Sequence, residues 1–244
     1  MTVTDISPQR RAEDEAARTQ RLIGETHHRA KNHFQFASSL LELKKPRDRA
    51  NPVAGILNDS QARLSALAAL HDTLHQYAGT GSVDLRRYLE RVCSALQQVY
   101  AAESTVCIDV AFEPDAVDDR RRDMEMQSAV VTGIATSELV SNAVKYGMQA
   151  NGTVAIRIVV EGDGETAARV RVEDDGPGVS PDFQVPDSLH TGLGLVAGLL
   201  RDSIGCELVA LDCGEEGADR HRCTLGGACF AFSVPLCSDA EGCA

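Results

Sequence analysis

Tryptophan is absent from the 244 residues, and Phe and Tyr together number ten. The core must therefore be built mainly from aliphatic side chains. No stretch approaches the ~18 consecutive apolar residues of a membrane-crossing helix, so no membrane span is expected. The opening residues MTVTDISPQRRAEDEAARTQ hold no apolar run, and no secretory signal is expected there. Basic side chains are in short supply: 24 Lys plus Arg face 36 Asp plus Glu, a formal charge of −12. Proteins that grip nucleic acid through its phosphates are usually basic, so no nucleic-acid partner is expected. The eight cysteines form no CxxC pair and show no metal-ligand spacing. With no signal segment, the expectation is a cytoplasmic location and reduced thiols.

What remains is a globular composition, 43% hydrophobic and 25% charged, long enough for one large domain or two modest ones. Charge is distributed unevenly. Residues 1–49 carry ten basic and seven acidic side chains, and the rest of the chain carries 14 and 29. The two parts are expected to meet different partners.

Two helical patterns open the chain after a tail at 1–11. From residue 12 to about 45, Leu22, Thr26, Arg29, His33, Phe36, Leu40 and Leu43 follow a 3–4 spacing, and Pro46 ends the helix. A second helix runs from Pro52 to about Tyr77, with Val53, Leu57, Ser60, Leu64, Leu67, His71 and Leu74 as a bundle seam. Two antiparallel helices bury such stripes poorly alone. The simplest solution is a homodimer forming a four-helix bundle through residues 12–77.

The linker 78–82, AGTGS, separates this hairpin from a domain of different texture at 83–236, followed by a tail at 237–244. Asp84 is the expected N-cap of a helix that turns Leu85, Leu89, Val92, Leu96 and Val99 inward. Val106, Ile108, Val110 and Phe112 alternate as a strand. A long helix is predicted over about 123–146, then a hairpin in which Val154, Ile156, Ile158 and Val160 face Val170 and Val172 across the EGDGE turn. A helix near 194–204 and strands at 207–211 and 228–234 complete the domain. Helices with a mostly antiparallel sheet indicate an α+β class.

Four motifs carry chemistry. On the first helix, His28 lies one turn from Glu25 on one side and from Asn32 on the other, so the three share a face. A histidine tuned through its second ring nitrogen acts as a nucleophile, and Arg29 and Lys31 suit an incoming phosphoryl group. A solvated helix surface has the same appearance, and His27, about 100° round the helix, is the rival acceptor. On the long helix, Glu138 and Asn142 stand i, i+4, a carboxylate and an amide oxygen suited to Mg²⁺, with Lys145 a turn on and in reach of a phosphate. Asp174-Asp175-Gly176-Pro177-Gly178 follows a strand: glycines admit a ligand closely, and a carboxylate there accepts from an exocyclic amine. It is also plain turn chemistry. Thr191-Gly192-Leu193-Gly194 opens a helix whose first amides suit a phosphate, weak evidence taken alone.

In this order, the last three motifs resemble the N box and glycine boxes of the GHKL (Bergerat-fold) ATP-binding domain, and Gly226 to Leu236, GGACFAFSVPL, resembles its last strand. With His28-Arg-Ala-Lys-Asn32 and the helical hairpin upstream, residues 20–236 resemble a two-component histidine kinase whose phosphoacceptor box reads H-R-x-K-N, related to the HWE kinases. The resemblance implies an α+β chain: a two-helix dimerisation and phosphotransfer hairpin, then an α/β-sandwich ATP-binding domain. It implies ATP and Mg²⁺ as cofactors and autophosphorylation of His28. Transfer to an aspartate of a response-regulator receiver domain would follow, with a separate sensor or input protein upstream.

The residue roles follow from the same resemblance. Asn142 would hold Mg²⁺, and Glu138 would assist phosphoryl transfer or the metal shell. Asp174 would receive the adenine amino group while Gly176 and Gly178 admit the ring. Lys145, Gly192, Leu193 and Gly194 would attend the phosphates, and residues 179–191 would form an ATP lid. Asn32 would orient a water for a phosphatase reaction, or only bond locally. Arg29 stands where many of these kinases carry an acid, which leaves Glu25 as the candidate general base. Ala228 follows Gly227 where a threonine is common, removing a hydroxyl. Two other readings share parts of the pattern: a phosphotransfer adaptor that never uses ATP, and an anti-sigma serine kinase on the same ATP fold.

Overall fold

The computed structural model describes residues 82–100, 105–113, 123–150, 152–180, 182–186, 191–211 and 223–237. The chain divides into two compact units, Met1–Lys45 and Pro46–Ala244, and every described residue belongs to the second. The predicted hairpin at 12–77, with Glu25, His28 and Asn32, lies outside the described residues.

The elements run β1 (Ser82–Asp84), α1 (Leu85–Tyr100), β2 (Thr105–Phe112), β3 (Asp123–Glu125), α2 (Met126–Tyr146), β4 (Thr153–Gly162) and β5 (Ala167–Asp174). Then come α3 (Gly192–Leu199), which continues as a π-helical turn over Leu200–Ile204, β6 (Val209–Ala210) and β7 (Cys229–Pro235). Five strands form one sheet in the order β2-β4-β5-β7-β6, with β2 parallel to β4 and the other pairs antiparallel. The α+β class is as expected.

Asp84 caps α1: its Oδ1 accepts the Arg87 amide at 2.7 Å, satisfying one donor the first turn leaves unpaired. Leu85, Leu89, Val92 and Leu96 are buried as predicted, together with Tyr88 and Cys93, while Val99 is half-buried. Asp84→Ala is expected to destabilise the domain by about 1 kcal/mol, read as a lower urea midpoint at unchanged m-value; an unchanged midpoint would remove the cap from the account. Further along α1, Gln97 treats the edge strand β2 as a partner strand would. Its Nε2 donates to Val106 O at 2.5 Å, and its Oε1 accepts the Ile108 amide at 2.8 Å. A paired edge offers no template for another chain.

The β4–β5 hairpin forms in the predicted register, Ile158 opposite Val172 and Val160 opposite Val170. Their buried side chains, with Phe230, Phe232 and Val234 of β7, form the sheet's contribution to an aliphatic core. Two boundaries differ from the sequence reading. Residues 123–125 are a strand rather than the first turn of the long helix, because Asp123, Met124 and Glu125 pair with Asp84, Val83 and Ser82 and bury Met124. The strand expected at 207–211 keeps only Val209 and Ala210, which pair with β7. Cys237 corrects the expectation of reduced thiols: it is disulfide-bonded, with its partner outside the described residues. Spacing in sequence says little about which thiols a fold brings together. Cys93, Cys107, Cys206, Cys223 and Cys229 form no disulfide.

Candidate functional site

Successive residues of a strand point to opposite faces, and at the end of β5 this alternation does two jobs. Glu173 is fully buried, and its Oε2 accepts from the amides of Thr224 and Leu225 at 2.5 and 3.2 Å and from Thr224 Oγ1 at 3.1 Å. Arg171, also buried, lies 3.4 Å from Glu173 Oε1 and 3.9 Å from Glu161 Oε2, so these buried carboxylates keep a counter-charge. Glu173 thereby fastens the turn that delivers Gly227 and Ala228 to its neighbour Asp174.

Asp174 faces the other way, into a cleft of about 390 Å³. It is 6% exposed, and its Oδ1 accepts from Gly176 N at 2.9 Å and Ala228 N at 3.1 Å. Its backbone is held too, through Asp174 N to Ala228 O at 3.0 Å and Gly227 N to Asp174 O at 2.9 Å. Among the described residues Oδ2 takes no hydrogen bond. Burial pushes the carboxyl above its ordinary pKa, the two amides pull it back, and the charge of Asp175 adds to the rise. Three glycines let the backbone close around this side chain. A Cβ on Gly227 would stand 2.5 Å from Oδ1, one on Gly147 3.2 Å from it, and one on Gly176 2.3 Å from Gly147 Cα.

The rest of the cleft comes from four elements. Leu139, Val172 and Phe230 give it an apolar wall, and Phe183 meets Phe230 edge-on at 5.9 Å between ring centres. Asn142 lines it from α2, with a buried Nδ2 that has no hydrogen-bond partner. Gly192 and Leu193 line it at the start of α3. Gly194 is buried behind them, its amide committed to the Thr191 Oγ1 cap at 3.1 Å. Lys145 is exposed and outside the cleft wall.

Glu138 lies one turn before Asn142 on α2. It is buried, absent from the cleft wall, and turned toward the start of α3: a Cβ on Gly192 would fall 1.8 Å from its Oε1. The structure thus brings Asp174, Gly178, Asn142, Gly192 and Leu193 to one cavity and places Gly176 in the packing beneath Asp174. Sequence reasoning missed Gly147 and Glu173, and placed Gly227 in the last-strand motif without its contact to Asp174. The pair Gly226-Gly227 just before a strand was the only local signal for any of them.

An apolar slot with a carboxylate oxygen open at one end and an uncommitted carboxamide at the other suits a purine nucleotide. Among the described residues no cluster of three His, Cys, Asp or Glu side chains could hold a metal. The Asn142 carboxamide oxygen could hold a cation that takes the rest of its shell from phosphate and water.

Residues 25–100 match the HisKA_2 family, described as histidine kinase. Residues 133–236 match the HATPase_c family, the histidine kinase-, DNA gyrase B- and HSP90-like ATPases. The chain carries the HisKA_2 and HATPase_c domain pair of the histidine kinases. Among similar proteins, the sensor histidine kinase PdtaS of Mycobacterium tuberculosis is 27% identical over 220 residues, 89% of this chain and 42% of that protein. Blue-light-activated histidine kinase 2 of Erythrobacter litoralis is 28% identical over 150 residues, 59% of this chain and 40% of that protein. The chain thus spans about two fifths of the length of these relatives. The histidine kinase domain of the Erythrobacter litoralis EL346 blue-light-activated kinase shares the fold, with a TM-score of 0.57 at 20% identity over 91% of this chain and 94% of that one. Among the described residues no helix is long and apolar enough to cross a membrane.

Proposed function

We propose that this chain binds Mg·ATP in the cleft, phosphorylates His28, and passes the phosphoryl group to an aspartate of a response-regulator receiver domain. The observation that carries the reading is Asp174, whose Oδ1 is pinned by two amides while its side chain faces an apolar cavity. That arrangement fixes an acceptor for an exocyclic amine and gives the ring an apolar wall. Asn142, with its amide nitrogen unpartnered, offers its oxygen at the phosphate end. When bound, Mg²⁺ supplies charge neutralisation on the phosphates.

In the first step a His28 ring nitrogen forms a bond to the γ-phosphorus as the bond to the bridging oxygen breaks and ADP leaves. Glu25, three residues earlier in the sequence, takes the proton from the other ring nitrogen. Catalysis by this chain is mostly positioning, and the nucleotide cleft supplies it. The phosphotransfer-adaptor reading needs no nucleotide cleft, and the closely packed surroundings of Asp174 speak against it. A homodimer through residues 12–77 and a separate input protein complete the proposed system.

The test uses the purified chain and ATP labelled at the γ-position. The expected label is acid-labile and base-stable. His28→Ala abolishes it while ADP binding, measured by calorimetry, persists. Asn142→Ala abolishes it too, because it removes the only carboxamide among the described residues that line the cleft. An acid-stable label would overturn the phosphohistidine assignment in favour of a serine kinase, and labelling of His28→Ala would move the acceptor to another histidine such as His27.

A further inference from the structure

The turn that presents Asp174 is held by a side chain outside every motif described above. Gln149 lies in the loop between α2 and β4 and does not line the cleft. Its backbone closes that loop, through Gln149 N to Thr153 O and Gly152 N to Gln149 O, both at 2.9 Å. Its side chain reaches across to the turn after β5. Nε2 donates to Asp175 O at 3.1 Å and to Asp175 Oδ2 at 2.8 Å. The other Asp175 oxygen, Oδ1, accepts the Ala155 amide at 2.8 Å, and Asp175 N donates to Ala155 O at 3.1 Å. Both carboxylate oxygens, the amide and the carbonyl of Asp175 are therefore occupied, which leaves this residue no freedom to rotate.

Asp175 follows Asp174 directly, so fixing its peptide fixes the direction in which the Asp174 side chain leaves the strand. The loop that carries Gln149 also continues α2, the helix that bears Asn142. Between them lies Gly147, packed against Asp174 and Gly176. A hydrogen bond from Gln149 to Asp175 thus ties the end of the cleft that reads the base to the helix that serves the phosphate end.

We propose that Gln149 and Asp175 form a positioning pair that holds the Asp174 carboxylate in register with Asn142, so that nucleotide affinity depends on a side chain the nucleotide never touches. The inference rests on the nucleotide reading of the cleft. Because Gln149 is exposed, its two bonds carry modest net weight, and about a threefold to tenfold effect on affinity is expected.

The experiment titrates ADP into the full-length chain by calorimetry for the wild type, Gln149→Ala, Asp175→Asn and the double variant. Gln149→Ala is expected to weaken ADP about threefold to tenfold. Asp175→Asn keeps an acceptor for Ala155 N but presents an amide NH₂ to Gln149 Nε2, donor against donor, and is expected to lose a similar factor. The double variant loses no more than the weaker single variant, since both break one contact. In labelling assays KM for ATP rises by the same factor while the rate at saturating ATP is unchanged, and the thermal midpoint without nucleotide stays put. Wild-type affinity in Gln149→Ala, additive losses in the double variant, or a fall in midpoint and saturated rate together would each overturn the pair. A wild-type chain that binds no ADP would overturn the nucleotide reading itself, and the pair with it.

Discussion

Asp174→Asn is expected to weaken ADP by about a hundredfold or more while leaving the domain folded. The asymmetry of the two carboxylate oxygens is the reason. Oδ1 sits between the amides of Gly176 and Ala228, so the asparagine must place its carbonyl oxygen there; the opposite orientation would set an NH₂ against two N–H donors. The amide nitrogen then takes the place of Oδ2 and presents a donor where the adenine amine also presents one. Calorimetry with ADP reads the loss, and a urea midpoint close to wild type shows that the fold persists. Retained affinity would mean that the base is read elsewhere. Protonation does the same to the native side chain, since a protonated Oδ2 turns from acceptor to donor. Burial and the neighbouring Asp175 raise this pKa, so ADP affinity should fall on acidification at a higher pH than an ordinary aspartate would give. In Asp175→Asn, which removes the neighbouring charge, that acid limb should move to lower pH.

Gly176→Ala is expected to destabilise the domain by about 1–3 kcal/mol and to lower ADP affinity more than tenfold. The added Cβ would stand 2.3 Å from Gly147 Cα and 2.9 Å from Gly147 O and from Asp174 Oδ1. Two of these three atoms are backbone, with no flexible side-chain end to give way, so the turn or the end of α2 must move. Either shift breaks the bond between Gly176 N and Asp174. Gly178 is the informative control. Its φ of +77° favours glycine, yet the nearest atom to an added Cβ is 3.7 Å away. Gly178→Ala should therefore cost only the left-handed backbone penalty of about 1–2 kcal/mol, with a smaller effect on ADP. Urea unfolding and calorimetry on both variants check the contrast, and a Gly176→Ala protein as stable and tight-binding as wild type would show that the turn shifts freely.

The elements that were legible in the sequence have short-range causes. Alternating Val and Ile on either side of EGDGE dictate the β4–β5 hairpin and its register, because the side-chain period of a strand is two and the turn is local. Asp84 before a 3–4 apolar pattern dictates the start of α1. The order of Asn142, Asp174 and Gly192 along the chain, with a histidine box ahead of them, was enough for the family.

What only the tertiary structure decided depends on residues distant in sequence. The parallel pairing of β2 with β4 and the strand at Asp123–Glu125 have no local signature, since each needs a partner chosen by packing. Glu138 has the spacing of a metal ligand beside Asn142, and only the fold shows that its carboxylate also packs against Gly192 at the start of α3. Gly147 reads as an ordinary loop glycine, and Gly227 as the start of a strand motif, until the fold sets both against one carboxylate. Sequence by itself determined which chemical groups the chain carries and in what order. The fold decided which oxygen of Asp174 is spent on amides and which is left for a ligand, because the local Gly176 amide is joined on Oδ1 by that of Ala228, 54 residues away.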